Sequence, residues 1–341
     1  MLTFIGTGGV GKTSLSLATA LQAAQLGRRV AAITVDPSRR LTSLLGIEQD
    51  GQSKKTIEVE GYSGSLDVFH IQTSQIFNEF VEKHLNDDVY ARLKKNKIYQ
   101  QISLNLRETH NFASLYRMVQ VCNMDEYDFV VLDTPPCHQV IDFFESPNRL
   151  KKFFTVKQDS KSSWTGWLQD KSIQVAENFI KPLVGKDFVR EMDAFFQSVR
   201  SLREEIHNIS TEFINQLSDD ESQLVLVTPP SKDKLQEASY LVSELSKSQF
   251  HVSEFVLNRS HVLDLDKSGE LGIEKDSEEY QIYNYFKNQL PMSKNMLAQI
   301  GKKLEVDIKQ FSYIPEIEQE IHSLQDVLMF AKKVGDHWTS L

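Results

Sequence analysis

Cysteine is nearly absent. Cys122 and Cys137 are the only two in 341 residues, too few for a disulfide framework, so the chain reads as intracellular and reduced. Long apolar runs are missing as well: no stretch approaches the roughly 20 residues that span a bilayer, which excludes an integral membrane helix. There is no fixed-period repeat, no low-complexity linker, and no excess of glycine or proline (15 and 9 residues) that would mark a collagen-like or disordered chain. Positive charge is in deficit. The net charge of −9 argues against a broad nucleic-acid footprint. No basic leader or cleavage pattern opens the chain, and a glycine-rich motif begins by Gly6, so the first residues are expected to belong to the fold. What is present, 40% hydrophobic and 25% charged residues, is ordinary for a packed globular protein.

The apolar residues switch repeatedly between strand-like and helix-like periods. Compact apolar runs at Leu2–Ile5, Arg29–Val35, Asp67–Ile71, Asp128–Leu132, Gln223–Val227 and Val252–Leu257 read as buried strands, and a last strand is expected within Leu304–Tyr313. Helical patterns separate them, beginning with Ser14–Leu26. This is the signature of an α/β fold with a doubly wound, mostly parallel sheet flanked by helices. Segments 74–120 and 150–217 stand outside the alternation and are expected to form a helix-rich insertion subdomain within a single domain over 1–341. In the second, Met192, Phe195, Val199, Leu202, Ile206, Ile209 and Phe213 recur at alternating spacings of three and four. That predicts one long helix whose apolar seam packs on the chain's own helices, with a partner or client surface as the other reading. The acidic segment 262–280 carries Asp264, Asp266, Ser268 and Gly269 at calcium-loop spacing, but its twelfth position is Lys275 rather than a closing Glu. It is expected to be an exposed loop or helix start.

Chemistry concentrates at Gly6-Thr7-Gly8-Gly9-Val10-Gly11-Lys12-Thr13. Two glycines, a lysine and a hydroxyl at this spacing form a phosphate-binding P-loop. Glycines let successive backbone N–H groups converge on phosphate oxygens, and the following helix adds its positive N-terminus. Lys12 would reach the β- and γ-phosphates, and the Thr13 hydroxyl would coordinate Mg²⁺. Gly6, Gly8 and Gly11 also satisfy a dinucleotide pattern, with Asp36 as a ribose carboxylate. That rival has no use for Lys12-Thr13 at the helix start, and Pro37 after Asp36 suits a rigid loop better than a ribose clamp. A P-loop needs a second acid from the end of another strand. Asp133, which closes the run FVVLD before Thr134-Pro135-Pro136, is in position to be that acid.

These segments together resemble the deviant P-loop ATPases of the MinD and nitrogenase iron-protein superclass, and within it the ArsA-like family. That family includes arsenite-pump ATPases and the guided-entry targeting ATPases for tail-anchored membrane proteins. The residues that carry the resemblance are GTGGVGKTS at Gly6–Ser14, TVDPSRRL at Thr34–Leu41, DTPPCHQVIDFFESP at Asp133–Pro147, VTPPSKDKLQEASYLVSEL at Val227–Leu245 and LNR at Leu257–Arg259. The resemblance implies a cytoplasmic, Mg²⁺-dependent ATPase that works as a nucleotide-switched homodimer, or heterodimer with a paralogue, on a protein or membrane-protein client. It implies nucleotide contacts from Gly8, Gly9, Val10, Gly11, Lys12, Thr13 and Ser14. Asp36 is implied as the carboxylate that positions the attacking water and approaches the metal, and Asp133 as the magnesium-linked acid. Asn258 is implied as the reader of the adenine edge, a task an amide can perform with one donor and one acceptor; the plainer reading is a turn residue ending a strand. Pro315, after the last strand, is implied to pack on the other face of adenine.

Three departures qualify the resemblance. The superclass carries a lysine second in the loop, which reaches across a dimer; Thr7 stands there and cannot supply that cation. Slow hydrolysis is therefore expected unless Arg39, Arg40 or a partner provides one. The alternative is a nucleotide-regulated binding module with vestigial hydrolysis. No Cys-x-x-Cys pair exists, so neither a zinc clasp nor a three-thiol arsenite site is expected, and Cys137 beside His138 reads as a loop residue rather than a nucleophile. Finally, Gln139 replaces the family's histidine after Asp133. The aromatics Phe153, Phe154, Trp164 and Trp167 lie where the switch would be converted into movement, or are ordinary core.

Overall fold

The computed structural model describes residues 1–35, 54–58, 61–105, 107–153, 186–248, 250–260, 311–316, 321 and 323–338, with a few isolated positions between 277 and 302. Within them the elements run β1 (Leu2–Gly6), α1 (Lys12–Gln25), β2 (Arg29–Thr34), β3 (Lys54–Ile57), β4 (Ser65–His70), α2 (Thr73–His84), α3 (Asp87–Lys95), α4 (Lys97–Asn105) and α5 (Arg107–Cys122). They continue with β5 (Phe129–Asp133), α6 (Cys137–Phe144), α7 (Ser146–Phe153), α8 (Lys186–Val199), α9 (Leu202–Leu217), β6 (Gln223–Thr228), α10 (Lys232–Lys247), β7 (Glu254–Leu257), β8 (Phe311–Tyr313) and α11 (Leu324–His337). Among the described residues, no helix is long and apolar enough to cross a membrane.

The chain divides into two compact units, the first comprising Met1–His70, Asp125–Ile141 and Leu217–Leu341. All eight strands form one sheet there, in the order β3-β4-β2-β5-β1-β6-β7-β8. Every pairing is parallel except β3 with β4. This is the doubly wound, mostly parallel sheet read from the sequence. The central strands β1, β5 and β6 are buried almost throughout, which is why they read as continuous apolar runs rather than alternating ones. α1 buries Leu15, Leu17, Ala18, Leu21 and Ala24, and α11 packs along it. The approach is close: a Cβ on Gly335 would stand 1.9 Å from Gln22 Nε2. Trp338 then closes the chain end, meeting the Phe4 ring edge-on at 5.8 Å and donating its indole N–H to Glu254 at 2.6 Å.

The second unit comprises Ile71–Met124 and Asp142–Gln216. Its core is aromatic: Phe80 meets Phe112 at 4.9 Å and Tyr116 at 5.1 Å between ring centroids. α8 packs on α3 and α4.

Two expectations change here. The apolar seam does not lie on one long helix. It is carried by α8 and α9, which break at Arg200-Ser201. Ser201 followed by Glu204 is a helix-start pattern that competes with continuation. Met192, Phe195, Val199, Leu202, Ile206 and Phe213 are all buried, so these six pack against the chain itself rather than presenting a surface to a client. The antiparallel edge strand β3 was also not expected, because its sequence KKTI is half charged; lysine on an edge strand blocks pairing with other chains. Residues 304–310 of the expected last strand, nearly all of 262–280, and the side chains of Phe153, Phe154, Trp164 and Trp167 lie outside the described residues.

Candidate nucleotide site

β1 delivers the chain into the glycine loop at Gly6, where backbone of the neighbouring strand leaves no room for a side chain. A Cβ there would stand 2.4 Å from the Val227 carbonyl oxygen. The loop ends at Gly11, the N-cap of α1, whose φ of 82° is left-handed and favours glycine. Leu15 N–H then donates to the Gly11 carbonyl at 2.9 Å and starts the helix. Gly8 and Gly9 are exposed, Val10 is buried, and Ser14 is half-buried.

At the head of α1, Lys12 and Thr13 both turn to Asp133, the last residue of β5. The Lys12 ammonium pairs with one carboxylate oxygen of Asp133 and also donates to the Thr134 carbonyl. Thr13 Oγ1 donates to the other carboxylate oxygen at 2.6 Å. The carboxylate is 3% exposed and the lysine side chain 10%, so the charges are held where water screens them little. The strand end is itself fixed. Val35 N–H donates to the Asp133 carbonyl at 3.1 Å, and Thr134 Oγ1 donates to the Phe4 carbonyl at 2.8 Å. Sequence reasoning missed Thr134, whose contribution comes from a hydroxyl and a carbonyl that no motif marks.

Beside the loop, Asn258 is buried and its Nδ2 donates to the Val10 carbonyl at 2.7 Å. Pro315 is buried after β8, next to Ile314, whose N–H donates to the Leu257 carbonyl at 2.9 Å. The structure thus brings Lys12, Thr13 and Asp133 together, and Val10, Gly11 and Asn258 together. Asp36, Arg39 and Arg40 lie outside the described residues.

The residues present fit a magnesium nucleotide. A hydroxyl and a carboxylate converging within hydrogen-bond distance are hard oxygen donors. Among the described residues no three or more His, Cys, Asp or Glu converge as a metal cage, and magnesium characteristically takes one or two carboxylates with the remainder from phosphates and water. Thr7 is 1% exposed and its hydroxyl has no hydrogen-bond partner, so the side chain at this position is turned inward. Cys137 is half-buried. Burial, and then the charge of Glu237, push its thiol above the usual range, the opposite of an activated nucleophile.

Comparison with known proteins identifies the family. The family model for the anion-transporting ATPases matches residues 1–335. The chain is 25% identical over 259 residues to a protein named ATPase get3 from Aspergillus terreus, covering 74% of this chain and 71% of that one. It is 23% and 22% identical over 265 residues to proteins named for an arsenical pump-driving ATPase in Chlorobaculum tepidum and Prosthecochloris vibrioformis. Those matches cover 76% of this chain and 60% of each relative. A family match over nearly the whole length, with the glycine loop and strand-end acid in place, gives the conclusion: the chain belongs to the anion-transporting ATPase family and, with it, to the ATP-hydrolysing P-loop proteins.

Proposed function

We propose that this ATPase is a magnesium-dependent, nucleotide-switched machine, in which ATP binding orders the loops around Asp36 and Asp133 and hydrolysis releases them. The observation that carries the reading is the meeting of Lys12, Thr13 and Asp133. An ammonium, a hydroxyl and a carboxylate from two distant segments converge at the N-terminus of α1, where the backbone N–H groups favour an anion.

In this reading the Lys12 ammonium moves from Asp133 to the β- and γ-phosphate oxygens. Gly8, Gly9, Val10, Gly11, Lys12, Thr13 and Ser14 offer backbone and hydroxyl donors along the phosphates. Thr13 and Asp133, with Asp36, would hold magnesium, which when bound offsets charge on the transferring phosphoryl group. Asp36 orients the attacking water. Asn258 and Pro315 flank the adenine, an arrangement supported by their adjacent strand ends.

The inward-turned, uncharged Thr7 supports slow turnover in the isolated chain, because the family's bridging cation has no counterpart there. It also keeps a second reading open, a regulated binding module in which nucleotide sets conformation and hydrolysis is vestigial. We further propose cytoplasmic action as a homodimer or a heterodimer with a paralogue, with the helix-rich segments 74–120 and 150–217 engaging a protein or membrane-protein client. The buried seam of α8 and α9 is not the client surface in this proposal.

Light scattering with ADP, and then with Mg²⁺ and a non-hydrolysable ATP analogue, tests the switch. A rise from monomer to dimer mass with the analogue is expected. A monomer in both states would overturn the homodimer and leave a heterologous partner to be sought by pull-down.

A further inference from the structure

Asn258 does more than end a strand. Its Nδ2 reaches the Val10 carbonyl at 2.7 Å across a sequence separation of 248, and the residue is 4% exposed. The same nitrogen stands 2.6 Å from where a Cβ on Gly11 would lie. The amide therefore sits directly against the left-handed turn that closes the loop. Its own position is well fixed. Asn258 N–H donates to the Thr228 carbonyl at 3.0 Å, and Ser260 N–H to the Ile314 carbonyl at 2.9 Å. Between them Arg259 is held at φ 57°, a left-handed conformation that is unfavourable for an L-residue with a side chain and persists only where its surroundings impose it.

A trans peptide points its carbonyl and its N–H in opposite directions. Holding the Val10 carbonyl toward Asn258 therefore turns the Gly11 N–H the other way. Without that donor, the peptide is free to rotate and present a carbonyl oxygen, which repels phosphate, where an N–H is wanted. We propose that Asn258 is a positioning residue that sets the donor geometry of the phosphate-binding loop, independently of any contact with the base. The inference rests on the reading of residues 6–13 as a triphosphate site.

Inorganic tripolyphosphate is the discriminating probe, because it has no base. Calorimetric titration of the full chain with tripolyphosphate, and separately with ATP and GTP, compares wild type with Asn258→Ala and the near-isosteric Asn258→Asp, which keeps the shape but lacks the donor. Loss of one neutral hydrogen bond predicts about a 5-fold weaker tripolyphosphate affinity for Asn258→Ala, and ATP and GTP weakened by at least the same factor. Asn258→Asp should lose more, since it adds a negative charge beside the loop. A merely structural role would lower the fraction of competent protein, read as stoichiometry, and leave affinity unchanged. Wild-type tripolyphosphate affinity in both variants, whether or not ATP binding falls, would overturn the proposal. Failure of wild type to bind either tripolyphosphate or ATP would instead sink the triphosphate-site reading, and the proposal with it.

Discussion

Replacing Asp133 by asparagine keeps the size of the side chain, removes its charge, and so releases Lys12 from its partner. In the fold that pair is nearly shut off from solvent, with side chains 10% and 3% exposed, and Thr13 donates to the same carboxylate at 2.6 Å. A triphosphate that recruits the ammonium has to break the pair and leave a carboxylate beside an arriving anion. Two unit charges about 4 Å apart interact by about 4 kcal/mol at an effective dielectric constant of about 20. Phosphate oxygens replace much of the lost attraction. If only about a third of that figure survives as net cost, about 1.4 kcal/mol, it is a tenfold change in affinity. Asp133→Asn should therefore bind metal-free ATP about tenfold more tightly than wild type, in a titration with chelator present. With Mg²⁺ the ranking reverses in the hydrolysis assay: loss of the strand-end acid should slow phosphate release by about 100-fold or more. Equal or weaker metal-free affinity in the variant would refute the idea that Asp133 competes with phosphate for Lys12.

Two further outcomes concern the fold around the site. Thr7→Val exchanges a buried hydroxyl without a partner for a methyl of the same shape. It should raise stability by about 1 kcal/mol in chemical denaturation, and a fall would mean the hydroxyl is in use. Asp67 is half-buried in β4, which pushes its carboxyl up, but hydrogen bonds from Thr56, Tyr127 and Lys54 outweigh that and hold it below the usual range. A carboxyl lower in the folded chain than in the unfolded one contributes stability above about pH 4 and loses it as pH falls through the folded value. Asp67→Asn should consequently melt at a lower temperature near neutral pH, with the gap to wild type narrowing below about pH 4; a constant gap across pH would refute the charge assignment.

The sheet was legible because its central strands are covered on both faces and so carry uninterrupted apolar runs, as in FVVLD at Phe129–Asp133. β3 was not legible, since four residues with two lysines carry no hydrophobic pattern; Asp67, opposite Thr56 in the register, accepts from both Thr56 and Lys54 across the strands. The seam from Met192 to Phe213 showed its apolar face plainly. Periodicity ran straight through Arg200-Ser201, however, because the buried positions Val199 and Leu202 keep the three-and-four spacing across the break. Lys12, Thr13 and Asp133 could be named from motif spacing, which encodes backbone geometry and strand-end placement. The hold of Asn258 on Val10 could not, because a hydrogen bond across 248 residues leaves no local signal. Nor could the roles of Thr134's hydroxyl and carbonyl.

Phosphate release from ATP under multiple turnover, with Mg²⁺ present, most directly tests the account, with wild type compared against Lys12→Ala. Slow, magnesium-dependent release that disappears in the variant is expected. Release that persists unchanged in Lys12→Ala, or none from a natively folded wild-type chain that still binds ATP, would contradict it.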